Sequence, residues 1–220
     1  MKPSALLEQL RAERGYLLSY HEVYGRLEPE FLQEYADLYR AFTLRPRFLT
    51  PRQRELVWTG LLTAIHEHVG SLHLERAVAA GVTAEELAAA VTLAGVADAW
   101  PSLAFGAQRW QQFIHADVAQ LYRALLEGGR GPIEPGTATL IVLVVQGARR
   151  REEPFVHHLR QLLDAGVPET QIAEALSYLL LPVGANTLLW ATDLWLQALR
   201  DGRLPESPTF GRADFRTRVE

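Results

Sequence analysis

The fold class of this chain depends on one stretch, Leu140-Ile141-Val142-Leu143-Val144-Val145. A short run of β-branched apolar residues is compatible with a buried strand as well as with a buried helix. The chain contains a counterpart, Leu56-Val57-Trp58-Thr59-Gly60-Leu61-Leu62, that is flanked by helix signals. One of these signals is Thr50-Pro51, because proline in a first helical turn needs no donor there. Both stretches are therefore predicted to be helices, and no clear strand signal remains.

The two stretches belong to an internal repeat. Several segments return in the same order: Asp37-Leu38-Tyr39-Arg40-Ala41-Phe42 as Gln120-Leu121-Tyr122-Arg123-Ala124-Leu125, Leu49-Thr50-Pro51 as Ile133-Glu134-Pro135, and His73 with Gly81-Val82 as His158 with Gly166-Val167. The sequence therefore predicts an all-α protein with two tandem helical repeats packed as one compact helical domain. The predicted divisions are an N-terminal helical extension (1–34), a first, site-bearing repeat (35–115), a second, structural repeat (116–200) and a C-terminal tail (201–220).

Local patterns predict where individual helices begin and end. Apolar residues at spacings of three and four predict one helix over 4–26. A capping box, Thr83-Ala84-Glu85-Glu86, predicts a helix start, and the Ala-rich helix that follows should run to about Ala97. The next helix is predicted to pass through Phe105, Trp110 and Phe113. The segment from Arg203 onward is predicted to be an extended arm or disordered.

Composition excludes several classes of function. The net charge is −4, with 22 Lys and Arg against 26 Asp and Glu, and such a weakly acidic chain lacks the basic surface that nucleic acids require. The chain has no cysteine, which removes disulfides, thiolate metal ligands and thiol chemistry. The N-terminus lacks the pattern of a signal peptide, and no apolar run approaches the roughly 18 residues of a membrane span. A cytoplasmic protein without a membrane partner is expected.

Three quoted segments resemble one known superfamily. They are Arg54-Glu55-Leu56-Val57, then His66-Glu67-His68-Val69-Gly70-Ser71-Leu72-His73, then His73-x3-Ala77-x3-Gly81-x-Thr83-x-x-Glu86. Together they are similar to the carboxymuconolactone decarboxylase and alkylhydroperoxidase D superfamily. The resemblance covers both repeats and implies an all-α, commonly oligomeric protein. It also implies a small-molecule substrate, no cofactor, and a homo-oligomer such as a dimer or trimer.

The peroxidase branch of this superfamily carries a Cys-x-His-Cys-x-x-x-His signature and an upstream glutamate. By this resemblance, the two histidines fall on His68 and His73, and the glutamate falls on Glu55 with one residue of slip. The two cysteines fall on His66 and Val69, so both thiols are missing. A disulfide-cycling peroxidase cannot work without thiols. The resemblance therefore implies that Glu55, His68 and His73 are the catalytic, proton-transferring residues.

The second repeat keeps only part of this pattern. His158 is the counterpart of His73, whereas Thr139 lies near the position that corresponds to Glu55. The second repeat is therefore predicted to be mainly structural. Two further residues, His66 and His158, are predicted to bind substrate rather than to transfer protons.

The predicted function is acid–base chemistry without thiols, of the decarboxylase or lyase type, on a small organic acid or lactone. Whether the protein is an enzyme is left open, and a non-catalytic helical oligomer that binds a ligand or partner is the main alternative. In that case His73 would bond to a backbone carbonyl, and Glu55 to Arg52 or Arg54. A weaker alternative is a divalent metal bound by His66, His68 and His73, although residues two apart on a helix do not share a face.

Overall fold

The computed structural model of the chain separates into two units, Met1–Pro46 and Arg47–Glu220. The structure describes residues 3–113, 115 and 117–211. Within these residues the regular elements are helices, and the only β pairing is an isolated bridge between Ser207 and Gly211. The all-α prediction is confirmed. The boundaries proposed for the extension, the two repeats and the tail stay predictions.

The first unit contains three helices and a π-helical turn: α1 (Pro3–Arg14), α2 (Ser19–Leu27), α3 (Pro29–Tyr39) and the turn Arg40–Leu44. The single helix predicted over 4–26 is wrong, because the chain forms two helices there. Gly15 has φ +81°, a left-handed conformation that glycine adopts without steric cost and that ends α1. A small apolar core holds the unit together, with Leu6 and Leu32 fully buried.

The second unit contains the remaining helices: α4 (Pro51–Ile65), α5 (Ser71–Ala79), α6 (Ala84–Asp98), α7 (Trp100–Arg109), α8 (Val118–Gly129), α9 (Pro135–Ala148), α10 (Glu152–Asp164), α11 (Glu169–Ser177), α12 (Leu180–Val183) and α13 (Ala185–Arg200). A short 3₁₀ turn, His68–Gly70, precedes α5. Helix α7 ends at Arg109, so the prediction that Trp110 and Phe113 lie within it is wrong. Both of these side chains are exposed.

The internal repeat is visible in how α4 and α9 begin and end. Each follows a residue whose side chain accepts backbone N–H groups of the first turn, Thr50 for α4 and Glu134 for α9. Each has proline at its first position. Each is followed closely by a residue with positive φ, His66 at 58° and Arg150 at 50°. The backbone thus reproduces the alignment that the sequence predicts.

Helices α4 and α9 pack against each other at the centre of the second unit. Residues 140–145 of α9 are at most 2% exposed, which explains why that stretch is apolar on every side. The two helices approach each other closely at Gly60 of α4, where an added Cβ would overlap the side chain of Ile141. Glycine is therefore required at this position for the two central helices to meet.

The segment after α13 folds back onto the second unit. Leu204 is buried, and the ring of Phe210 meets that of Trp195 edge-on with centroids 6.2 Å apart. The prediction of an extended or disordered arm is therefore wrong up to Gly211. Residues 212–220, the rest of that predicted tail, lie outside the described residues.

One helical stretch of the described chain, Ala84–Arg109, is long and apolar enough to cross a membrane by length and composition alone. A core helix of a soluble protein passes the same test. In the structure this stretch comprises α6 and α7, with Ala99 between them. The predicted cytoplasmic location and the absence of a membrane partner stay predictions.

Candidate functional site

Glu55 and His73 form a buried hydrogen-bonded pair. Nδ1 of His73, on α5, lies 2.7 Å from Oε2 of Glu55, on α4. The Glu55 side chain has no exposed surface, and that of His73 retains 5%. The second carboxylate oxygen, Oε1, accepts a hydrogen bond of 2.8 Å from Nε of Arg54. Any proton that this pair exchanges with its surroundings therefore passes through the His73 ring.

Burial lowers the pKa of His73, and the hydrogen bond to Glu55 only partly opposes this shift. The ring is therefore neutral at pH 7. Because Glu55 is the acceptor, the ring proton is assigned to Nδ1, and Nε2 carries the free lone pair. Such a ring can take a proton at Nε2 while the carboxylate stabilises the imidazolium that forms.

The non-catalytic hypothesis predicted a backbone carbonyl as the partner of His73, and Arg52 or Arg54 as the partner of Glu55. The partner of His73 Nδ1 is a carboxylate rather than a backbone carbonyl. Glu55 binds Arg54 as well as His73, whereas Arg52 instead pairs with Glu86.

Aromatic stacking joins the histidine to the second repeat. The rings of His73 and Trp58 are stacked with centroids 4.4 Å apart, and those of Trp58 and Tyr178 are stacked at 4.9 Å. The Tyr178 hydroxyl donates a 2.6 Å hydrogen bond to Oε1 of Glu174. Sequence reasoning missed Trp58, Tyr178 and Glu174 as parts of the site. The second repeat thus contributes Tyr178 to the ring stack beside His73, and its mainly structural role stays a prediction.

Glu174 is a buried carboxylate with several donors around it. Its Oε2 accepts backbone N–H bonds from Phe48 and Leu49, at 2.5 and 2.8 Å. Nε of Arg47 lies 3.7 Å from Oε1. This carboxylate therefore fixes the segment that leads into α4. The signal available in the sequence was a single glutamate on the otherwise apolar, buried face of α11.

His66 and His68 are placed elsewhere, at the rim of an open cavity of about 460 Å³. Its walls include six side chains from α4, the following turn and α5: Thr59, Leu62, Thr63, His66, His68 and Leu74. Both histidines are exposed. Among the described residues, neither Glu55 nor His73 lines this cavity. The structure therefore places the predicted site residues in two groups. Glu55 and His73 form a buried pair, and His66 and His68 line an open cavity.

The three-histidine metal alternative gains no support from this arrangement. In the parts of the chain that the structure describes, no group of three His, Asp or Glu side chains is arranged to hold a metal ion. His73 directs Nδ1 at Glu55, and His66 lies at a left-handed turn after α4.

His158, the counterpart of His73, has different surroundings. Its Nδ1 lies 2.8 Å from Oε1 of Gln161, so no carboxylate holds the ring. Its Nε2 is buried without a hydrogen-bond partner. The ring lines a cavity of about 160 Å³ with Tyr122 and His157, separate from the cavity of His66. The substrate-binding roles predicted for His66 and His158 remain predictions, and they concern two different cavities.

The burial of His158 makes stability depend on pH. Desolvation lowers its pKa to about 3, against about 6.5 in an unfolded chain. Between these values the unfolded chain binds a proton that the folded protein does not, so stability falls as the pH falls below about 6.5. We expect His158→Phe to remove this dependence. Urea unfolding should show the variant gaining about 2 kcal/mol relative to wild type between pH 7 and pH 5, and an unchanged difference would contradict the assignment.

Two arginines just after α9, Arg149 and Arg151, form ion pairs with Asp98 at the end of α6. Arg149 donates to Asp98 from Nε and Nη2, at 2.9 and 2.7 Å, and Arg151 lies 3.1 Å from the same carboxylate. Asp98 therefore pairs with two arginines, and these ion pairs connect the end of α9 to the end of α6.

Comparison with known proteins agrees with the internal repeat. The model of the carboxymuconolactone decarboxylase family matches the chain twice, over residues 29–112 and 116–197. No curated protein and no solved structure matches the chain. The two matches cover most of the chain and correspond to the two copies seen in the sequence.

Proposed function

Because the chain belongs to the carboxymuconolactone decarboxylase family, we propose that it is a cysteine-independent acid–base catalyst. Its substrate would be a small organic acid or lactone, and its reaction of the decarboxylase or lyase type. The observation that carries the proposal is the 2.7 Å bond between buried Glu55 and a neutral His73. Without cysteine, proton transfer is the chemistry that these side chains support.

The proposed roles follow from the chemistry of each group. When a carboxylate leaves as carbon dioxide, the electron pair of the broken C–C bond remains on the substrate as an enolate. His73 first takes a proton at Nε2 from the carboxylic acid of the substrate and then returns it to this carbon, and Glu55 stabilises the imidazolium in between. This assignment requires the reacting end of the substrate to reach Nε2 of His73 from the cavity that His66 and His68 line. His66 and His68 contact the substrate at the cavity. For His68 this replaces the catalytic role that the resemblance implies, because His68 lines the cavity and the Glu55–His73 pair does not. The proposal is supported by the position of both groups on two helices, since α4 and α5 supply the buried pair and much of the cavity wall.

The test is a screen of small β-keto acids and carboxylactones in deuterium oxide, followed by mass spectrometry of the products and measurement of released carbon dioxide. We expect carbon dioxide to be released faster than without the protein, with deuterium on the carbon that carried the lost carboxylate. His68→Gln should raise the KM about tenfold through loss of a substrate contact. His115→Gln is the matched control, since it replaces another exposed histidine that lies outside the described cavity lining. Equal kinetics for the two variants would contradict the placement of substrate at His68.

A non-catalytic role is the second candidate, and one observation favours it: the Glu55–His73 pair does not line the cavity. In that case the cavity would bind a small acid without turnover, and Glu55→Gln would leave that affinity unchanged. The predicted homo-oligomer is compatible with either role. It is supported by large apolar side chains that α5–α7 leave exposed: Leu74, Val78, Val91 and Phe105.

A further inference from the structure

A third cavity lies in the second unit, apart from the two described above. It has a volume of about 420 Å³ and lies between α11, α13 and the segment that follows α13. Its walls include Glu169, Thr170, Thr192, Trp195, Leu196 and Phe210. None of these residues belongs to the Glu55–His73 pair or to the cavity of His66. The walls are mainly apolar side chains and rings, which is typical of a small-molecule site when a few polar groups converge on it.

Two polar groups on these walls lack partners. Both carboxylate oxygens of Glu169 are buried, and neither has a hydrogen-bond partner. The indole Nε1 of Trp195 is likewise buried without a partner, in a residue that is 5% exposed. Buried polar atoms are almost always satisfied, and a buried carboxylate without a partner is costly. These atoms therefore indicate a group that the protein itself does not supply.

A structural role at the start of α11 does not account for Glu169. An acidic residue in a first helical turn usually stabilises it by accepting backbone N–H groups. Glu134 does this for α9, accepting bonds of 2.7 and 2.8 Å. Glu169 accepts no such bond, and α11 has no side-chain cap. Its carboxylate is therefore left for another partner.

The chemistry of the two groups defines what would satisfy both. An ionised carboxylate only accepts hydrogen bonds, and an indole N–H only donates. A partner therefore needs a cationic donor for Glu169 and an oxygen acceptor for Trp195. The rings of Trp195 and Phe210, edge-on to each other, add faces and edges that suit an apolar body or a cation. From these contacts we propose that this cavity binds a small amphipathic amine with an apolar body, a protonated nitrogen at Glu169 and an oxygen at Trp195.

The experiment uses 2-amino-1-phenylethanol as the probe and the full-length protein. Calorimetry at pH 7 should show binding to the wild type and binding at least about tenfold weaker to Glu169→Gln. Mandelate has the same phenyl and hydroxyl groups but a carboxylate instead of the amine, and it should not bind. Glu85→Gln is the matched control, because Glu85 is an exposed acid in the first turn of α6, and it should bind the amine like the wild type.

A second readout reports the contact with the indole directly. The indole N–H signal of Trp195 in the nuclear magnetic resonance spectrum is assigned by its loss in Trp195→Phe. This signal should move downfield when the amine is added to the wild type, and it should stay in place in Glu169→Gln. Equal affinity of the wild type and Glu169→Gln, or binding of mandelate as tight as that of the amine, would overturn the proposal.

The alternative source of a cation for Glu169 is the chain's own C-terminal sequence, which contains Arg212, Arg216 and Arg218. A full-length variant with these three arginines changed to glutamine distinguishes a small-molecule amine from the chain's own side chains as the occupant of the cavity. Amine binding that is equal in the variant and the wild type supports a small-molecule site. Amine binding that occurs only in the variant would show that the chain itself is the occupant, and would overturn the proposal.

Discussion

His73→Gln should lower turnover by about 10²–10⁴-fold, the usual contribution of a general acid–base group, and should leave the protein folded. Glutamine can still donate a hydrogen bond to Glu55, so the buried carboxylate keeps a partner. It cannot take up and return a proton. The measurement is kcat with a substrate found by deuterium incorporation, together with the unfolding midpoint of each variant.

The matched control for this variant is His21→Gln, which replaces another buried histidine, in the first unit, that has no proposed role in the site. It should keep nearly wild-type turnover, because Nδ1 of His21 accepts a backbone N–H bond from Leu18 and is not bonded to a carboxylate. The pH profile gives a second check. Since the pKa of His73 is lowered by burial, wild-type kcat/KM should hold at pH 6.5 and fall only in more acidic solution. Full activity in His73→Gln would rule out the proposed role.

Glu174→Leu should lower the free energy of unfolding by about 3–5 kcal/mol, the range for removing one member of a buried charged network. The change leaves two backbone N–H groups, of Phe48 and Leu49, and the Tyr178 hydroxyl without their acceptor. Leucine is close to glutamate in size, so the loss comes from unpaired donors rather than from an empty space. Urea unfolding monitored by circular dichroism measures it.

Two comparisons make this prediction specific. Glu75→Leu, at an exposed position of α5, should change stability by no more than about 0.5 kcal/mol. Tyr178→Phe removes only one of the donors and should cost about 1–2 kcal/mol. A loss in Glu174→Leu no larger than that in Glu75→Leu would show that the carboxylate does not hold the entry into α4.

The helices were predictable because their signals are local. The cap and proline at Thr50-Pro51 and the capping box at Thr83 depend on residues within one turn of each other, and the structure has helices at both places. The ambiguous stretch at 140–145 became predictable only through its repeat counterpart. The break at Gly15 was missed, because apolar spacing continues across a single left-handed residue.

The site was predictable only in part, because its contacts are not local. A proton-transfer role for Glu55, His68 and His73 was expected from a family resemblance, and the structure brings only Glu55 and His73 into a hydrogen bond. Spacing could not show that His68 opens a 3₁₀ turn and faces a cavity. Tyr178 and Glu174 lie more than a hundred positions from Trp58 and Phe48 in the sequence, and no periodicity links such residues. Their roles follow only from the packing of one repeat on the other.

The contact between Gly60 and Ile141 also bears on the history of the chain. Counted from the starts of α4 and α9, Gly60 corresponds to Val144, and Ile141 corresponds to Val57. Two identical ancestral copies would have carried the same residue at each pair of corresponding positions. Today two first halves would set Gly60 against Val57 with space to spare, and two second halves would set Val144 against Ile141 with too much bulk. Each half is thus fitted to the other at this contact, and we expect a symmetric dimer of either half alone to pack less well here than the two halves do together.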